Sequence, residues 1–447
     1  MTRAPHTEGE GNASPARAAW SATQGPETRA LLDRDAAAFL HQSLSTPCLS
    51  TIAMAEGIWI EDTAGRRFMD FHGNSVHHIG YGHPRLLAAI KDQLDRLSFS
   101  PRRFTNEVSV ALAERLAQHA PWPAKVLFTT GGSDANEVAL RLARAATGRF
   151  KTLSFWDAFH GAGFGAASVG GEATFRSHIA GPLLPGAEHI APFHCYHCPY
   201  GHPGPEACGL ACAEMAAYVL GREGDTAALI AEPMRATPVT PPPGYWPAVE
   251  AATHSRGTLL IMDEIPTGLG KTGRFFAHQH DGVTPDIITL GKALGGGVLP
   301  IAAVLARADL DVAGDFAIGH YTHEKNPVTA RAALTTIDII EDEGLTERAQ
   351  RLGAHALDRL NQSLARTPFV GDIRGRGLLF GVEIVQGRET RTPDPARAEA
   401  ILYACLAQGL SFKISAGSTL TLSPPMTIAE ADLDRALAIV ETAILDR

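Results

Sequence analysis

From Lys125 onward the chain alternates short apolar runs with helical ones, and this rhythm constrains the fold more than any other feature. KVLFTT is followed by SDANEVALRLARAA and KTLSF. AALIAEP, a helical stretch from Trp246 to Arg256, TLLIMDE, DIITLGK and IAAVLA come later. Strands that alternate with helices predict a mostly parallel sheet with helices on both faces, hence an α/β fold. In such a sheet ligands sit outside the carboxyl ends of the strands. The residues that follow each apolar run are therefore the ones to question.

Three of those ends carry chemistry. In TTGGSDANEVAL a strand runs into Gly131 and Gly132, and Ser133 opens a helix. Backbone amides at a helix N-terminus, with glycines permitting close approach, suit a phosphate. A plain turn with Ser133 as N-cap is the alternative. In LLIMDEIPTG, Asp263 ends an almost wholly apolar strand, where a carboxylate needs a partner. An arginine would serve, and so would a buried pyridinium nitrogen that the carboxylate keeps protonated. In DIITLGKALGGGV an apolar run delivers Lys292 into a glycine-rich loop. A lysine whose stem packs on apolar surface is the common case. Phosphate cradle, buried aspartate and strand-end amine in this order form a pyridoxal 5'-phosphate site. Lys292 would make the Schiff base and Asp263 would keep the ring an electron sink.

The flanks are less specific. GIWIEDTAGRRFMDF reads as a hairpin around Asp62–Gly65, and helical periodicity follows in PRLLAAIKDQLDRL and EVSVALAERLAQHA. A net charge of -9 gives no reason to expect nucleic acid or an anionic membrane as partner. No apolar run approaches a membrane span, and the first residues lack the apolar core of a signal peptide. Residues 1–34 are expected to be a disordered arm, and the cytoplasm is the expected location. Cys195, Cys198, Cys208 and Cys212 crowd into one loop with His194, His197 and His202. That pattern reads either as a zinc knuckle or as a reduced surface loop. The expectation is no metal.

These motifs resemble the class III (omega-type) aminotransferases of the fold-type I pyridoxal phosphate enzymes, from about residue 35 to the end. MDFHGNSVHHIGYGHP, GGSDANE, FHG, DEIPTGLGKTG, LGKALGGG and HYTHEKNP each match a motif of that family. The resemblance implies that Gly132 and Ser133 bind the phosphate. It puts Phe159 and Ile265 on the two faces of the ring, Asp263 at its nitrogen and Lys292 at its aldehyde, with Glu232 also lining the cofactor. It implies that Thr322 reaches the neighbouring subunit's phosphate, hence a homodimer. Residues 76–335 would form the large cofactor-binding domain and 336–447 a smaller α+β domain, against which 35–75 would pack.

Departures from the family carry the substrate information. LTLSPPM places Thr421 where many members have an arginine for a substrate carboxylate. EPMRATPV installs Arg235 just past Glu232, and SPRRFTN supplies Arg102 and Arg103. Arginine suits phosphonate or phosphate oxygens, although each could equally pair with a surface carboxylate. Asn74, His77 and His78 stand where the family has small and apolar residues; Asn74 and His77 are expected to contact a polar substrate. Together HGNSVHHIGYGHP, EPMRATPV and GHYTHEKNP resemble a subgroup that does not transaminate: lyases of small amino phosphates or amino phosphonates. The rival is an ω-aminotransferase acting on an ω-amino compound, 2-aminoethylphosphonate included, with pyruvate or a 2-oxo acid.

Overall fold

The computed structural model describes residues 14–42, 45–177 and 180–447, which form two compact units. One spans Pro84–Glu347; the other combines the described residues up to His83 with Arg348–Arg447. One boundary lies at the start of the helix Pro84–Arg96, and the other, between Glu347 and Arg348, lies in the first turn of the helix Leu345–Leu364. The expected boundary at residue 335 would have cut the helix Pro327–Asp342, which runs whole within the larger unit.

The larger unit is built on a seven-stranded sheet. Its spatial order is Ala124–Thr129, Ala302–Arg307, Ile287–Leu290, Leu259–Asp263, Thr226–Ala231, Lys151–Phe155 and Ala187–Ile190. Only Ala302–Arg307 runs against its neighbours, so the mostly parallel sheet is as expected. The three central strands, Thr226–Ala231, Leu259–Asp263 and Ile287–Leu290, are buried at every residue. That is why they read as continuous apolar runs: both faces are covered. Ala228, Ile230 and Ile261 pack against Ala135, Val138 and Leu142 of the helix Gly132–Thr147. Leu229, Leu260 and Met262 point the other way, into Trp246, Val249 and Leu220. Successive side chains alternate faces, so one strand feeds two cores. Four strands deliver their carboxyl ends to one edge: Thr129, Ala231, Asp263 and Leu290 lie there together.

In the smaller unit the expected hairpin forms, with Trp59–Glu61 antiparallel to Arg67–Asp70. Leu410–Ser411 adds to it in parallel, and a second sheet holds Val370–Arg376, Leu379–Ile384, Thr419–Leu422 and Lys413–Ser415. The arm differs from expectation. Its first thirteen residues lie outside the described residues, but Pro15–Ala22 and Pro26–Ala38 are helices. Ser14 caps the first by accepting from the Arg17 amide at 2.9 Å, and proline starts both. Tertiary contacts supply what composition lacks. Trp20 lies 5.8 Å from Tyr403 between ring centroids, Ser14 Oγ donates to Glu399, and Arg17 reaches the Pro47 carbonyl at 3.0 Å.

Candidate active site

Asp263, 2% exposed, sits at the carboxyl end of the fourth strand from the Ala124–Thr129 edge. Its carboxylate is satisfied by neighbours on three different elements. Oδ2 accepts from Asn136 Nδ2 at 2.9 Å and stands 2.8 Å from His160 Nδ1, while Oδ1 accepts from the Ile265 amide at 3.1 Å. Asn136 is held in turn: its Nδ2 also reaches the His160 carbonyl, and its Oδ1 accepts from Thr289 Oγ1, each at 2.8 Å. A carboxylate offers about four lone-pair sites, so three donors leave room for one more. His160 Nε2 is buried without a hydrogen-bond partner.

The helix Gly132–Thr147 begins at the end of the Ala124–Thr129 strand, and its start is kept bare of side chains. A Cβ on Gly132 would stand 2.7 Å from Ile265 Cδ1. Gly161 has φ +128, and a Cβ there would meet Ser133 Oγ at 2.4 Å. Ser133 Oγ meanwhile accepts from the Ala162 amide at 3.1 Å. The glycines thus let the segment Phe159–Gly161 and Ile265 close on the helix N-terminus. Phe159 is partly exposed and rests on Phe175, with centroids 4.4 Å apart.

Lys292 opens a short 3-10 turn directly after Ile287–Leu290, with φ +44. It keeps accessible surface yet stands deep among protein atoms. That surrounding lowers the pKa of its ammonium, while the Glu232 and Asp263 carboxylates pull the other way. Glu232 is pushed up to about 7 by burial and by the nearby Asp263 charge, against the opposing influence of neighbours that include Arg235. Amine and carboxyl are both drawn towards neutrality.

The remaining candidates divide. Arg235 is buried, with its Nη2 on the Asp157 carbonyl, in the same unit as Glu232 and Lys292. Arg102 is engaged by His320 Nδ1 at 3.2 Å and Glu324 at 3.9 Å; Arg103 is exposed. Thr322 is exposed on its loop. Asn74 and His77 belong to the smaller unit. Asn74 has φ 47, and His77 has no exposed surface, its Nε2 3.0 Å from the Asp70 carbonyl. The His77 ring fills the space that a Gly73 side chain would need. Thr421 is also buried in the smaller unit and donates to Ser415 Oγ at 2.9 Å. Cys195, Cys198, Cys208 and Cys212 are thiols lining one cavity with His194 and His202. Among the described residues, no three His, Cys, Asp or Glu side chains are arranged to hold a metal ion.

Sequence reasoning missed Asn136, Thr289 and the tie from His160 to Asp263. The available signal was polarity out of place: one amide on an apolar helix face and one hydroxyl inside DIITL.

Residues 41–444 match the family model for aminotransferase class-III. The chain belongs to that family. It is 44% identical over 98% of its length to the (R)-1-hydroxy-2-aminoethylphosphonate ammonia-lyase of Vibrio splendidus (strain 12B01), covering 95% of that protein. A solved aminotransferase of Bacillus anthracis superposes with TM-score 0.88 at 30% identity, over 95% of this chain and all of that one (100%). An amine transaminase from an uncultivated Pseudomonas species, solved with pyridoxal phosphate bound, superposes with TM-score 0.85 at 31% identity, over 92% and 98% of the two chains. The fold is fold-type I and the chain is a pyridoxal 5'-phosphate enzyme. The residues present fit that cofactor: a carboxylate with a lone pair to spare, a bare helix N-terminus and an amine with a lowered pKa gather at one sheet edge. Among the described residues, no helix is long and apolar enough to cross a membrane.

Proposed function

We propose that this chain is a lyase converting (R)-1-hydroxy-2-aminoethylphosphonate to phosphonoacetaldehyde and ammonia. One arrangement carries the reading. Lys292, whose proton burial loosens, shares its surroundings with Glu232, a carboxyl that burial keeps partly protonated near neutrality. Eliminating a hydroxyl needs a base at the aminated carbon and an acid at the departing oxygen. Amine transfer moves a proton between carbons and needs no acid for a leaving oxygen. The ammonia-lyase of Vibrio splendidus supports the choice of substrate through its identity over almost the whole chain.

In this reading Asp263 holds the cofactor's ring nitrogen, steadied by Asn136 and His160. Gly132 and Ser133 offer helix N-terminal amides to its phosphate. Phe159 and Ile265 would take the ring faces, and Lys292 would hold the aldehyde. When bound, the cofactor supplies an electron sink for the charge left on the aminated carbon. Lys292 accepts the proton from that carbon, and Glu232 gives a proton to the hydroxyl leaving the next one as water. The vinylic amine that remains takes up water and hydrolyses to the aldehyde and ammonia. Water lost equals water regained, and no second substrate enters. Exposed Thr322 serves the phosphate of a second copy, which makes the enzyme a homodimer with shared sites.

A second reading has support in the two solved aminotransferases: transfer from an ω-amino compound to pyruvate or another 2-oxo acid. One experiment separates them. Cofactor-loaded protein is given the hydroxy-amino phosphonate with no oxo acid, and ammonia and aldehyde are followed together. The lyase reading expects continued, equal release of both. A single turnover that stops until pyruvate is added would hand the function to the aminotransferase.

A further inference from the structure

The loop Glu232–Val239 leaves the carboxyl end of a wholly buried strand and is held firmly. The Arg235 amide donates to the Val239 carbonyl at 2.9 Å, and the Val239 amide returns the bond at 3.1 Å. The Pro233 carbonyl accepts from Trp246 Nε1 at 2.7 Å. Arg235 therefore projects from a fixed base, and its side chain is only 8% exposed. Its Nη2 donates to the carbonyl of Asp157, and its Nε is buried with no partner. Among the described residues, no carboxylate pairs with it. Glu232, the acid within its electrostatic reach, is itself held towards the neutral form by burial. A guanidinium presents five donors and cannot shed its charge. A buried cation is normally paired, and this one has a neutral carbonyl as its partner.

We propose that Arg235 is the receptor for the anionic group of the substrate, a tetrahedral phosphonate carried next to the reacting amine. The proposal rests on the lyase reading and names the group that confers specificity on that site. The fixed loop presents the guanidinium edge that Asp157 leaves open. Two parallel N–H donors match two oxygens of a phosphonate, which an ammonium cannot do. The anion also completes the electrostatics of its surroundings. Its charge offsets the buried cation and favours the protonated form of Glu232, the form needed to release the hydroxyl as water.

The test uses cofactor-loaded protein and 2-hydroxyethylphosphonate, which carries the anion and no amine and so reports binding without turnover. Its Kd is measured by calorimetry for the natural chain, Arg235→Gln and Arg235→Lys, alongside the melting temperature and the bound-cofactor spectrum. Arg235→Gln is expected to weaken binding roughly thirty-fold or more, as for one lost partner of a desolvated charge pair. Arg235→Lys is expected to keep the melting temperature of the natural chain yet regain little of the affinity. Equal Kd values across the three proteins overturn the proposal. So does a lysine variant that regains affinity in step with its melting temperature, because Arg235 would then act only through the Asp157 loop. The two readings fail separately. Ammonia release with an unchanged Kd in Arg235→Gln removes this subsite and leaves the lyase. A subsite that responds as expected, in a protein that needs an oxo acid to turn over, removes the lyase and leaves the subsite.

Discussion

Asn136, which the sequence had not singled out, ties three parts of the site together. It donates to Asp263 and to the His160 carbonyl and accepts from Thr289. Asn136→Ala should cost about 1.5–3 kcal/mol of stability, the scale of a hydrogen bond to a charged group. It should also speed cofactor loss, which the decay of visible absorbance on dilution would measure. Thr289→Val, which removes one donor to the same amide, should do less. Glu232 makes a second prediction, about pH. Its folded-state pKa, about 7, lies above the ordinary 4.5 because burial disfavours the carboxylate. The native state therefore keeps a proton that the unfolded chain has already released. That stabilising difference is complete below the ordinary value and is lost as pH rises through about 7, on the order of 3 kcal/mol in all. Urea unfolding of the natural chain should weaken over this window, and Glu232→Gln should flatten that part of the profile. An equal slope in both proteins would remove Glu232 as its source.

At the scale of elements, the junction between the helix Gly132–Thr147 and the segment Phe159–Gly161 is set by closeness of approach. Gly161 adopts φ +128, and a Cβ there would stand 2.8 Å from the Ser133 Cα as well as crowding its hydroxyl. Gly161→Ala should therefore destabilise by at least about 2 kcal/mol, since backbone strain and the clash combine. Gly132→Ala meets only the Ile265 side chain, its Cδ1 at 2.7 Å and its Cγ2 at 3.2 Å, which can shift more easily than backbone. It should be milder, and Ile265→Ala should relieve it. Denaturant midpoints of the single and double variants test both statements. The strands were easy to foresee because both faces of the sheet are covered. The edge strand Ala187–Ile190, only partly buried at three of its four residues, left no comparable apolar run.

For the whole molecule, the prediction concerns a second copy. Thr322 is exposed, as a residue serving a neighbouring phosphate would be in a single chain. Thr322→Ala should leave the fold intact and weaken cofactor retention by about 1.5–3 kcal/mol, the worth of a hydrogen bond to a charged group. If two copies share the site, sedimentation at falling concentration should show cofactor loss following their dissociation. A monomer that keeps cofactor and full activity would remove the shared site.

Strand-end positions were legible along the chain, because an open α/β sheet puts its ligands outside the carboxyl ends of the strands and a buried carboxylate there needs a partner. Lys292, Asp263 and the start of the helix at Gly132 were singled out that way as expectations, and the structure brings all three to one edge of the expected α/β sheet. What holds Asp263 was not legible. Asn136, His160 and Thr289 are 127, 103 and 26 residues from it in the chain, and the first two bonds exist only once the sheet is assembled. The same holds for His77 and for the two N-terminal helices. A departure from the family motif singled out the histidine and composition made the helices an arm; packing buries the one and anchors the others. Local pattern reports what a residue costs to bury; only the tertiary structure decides which partner repays that cost.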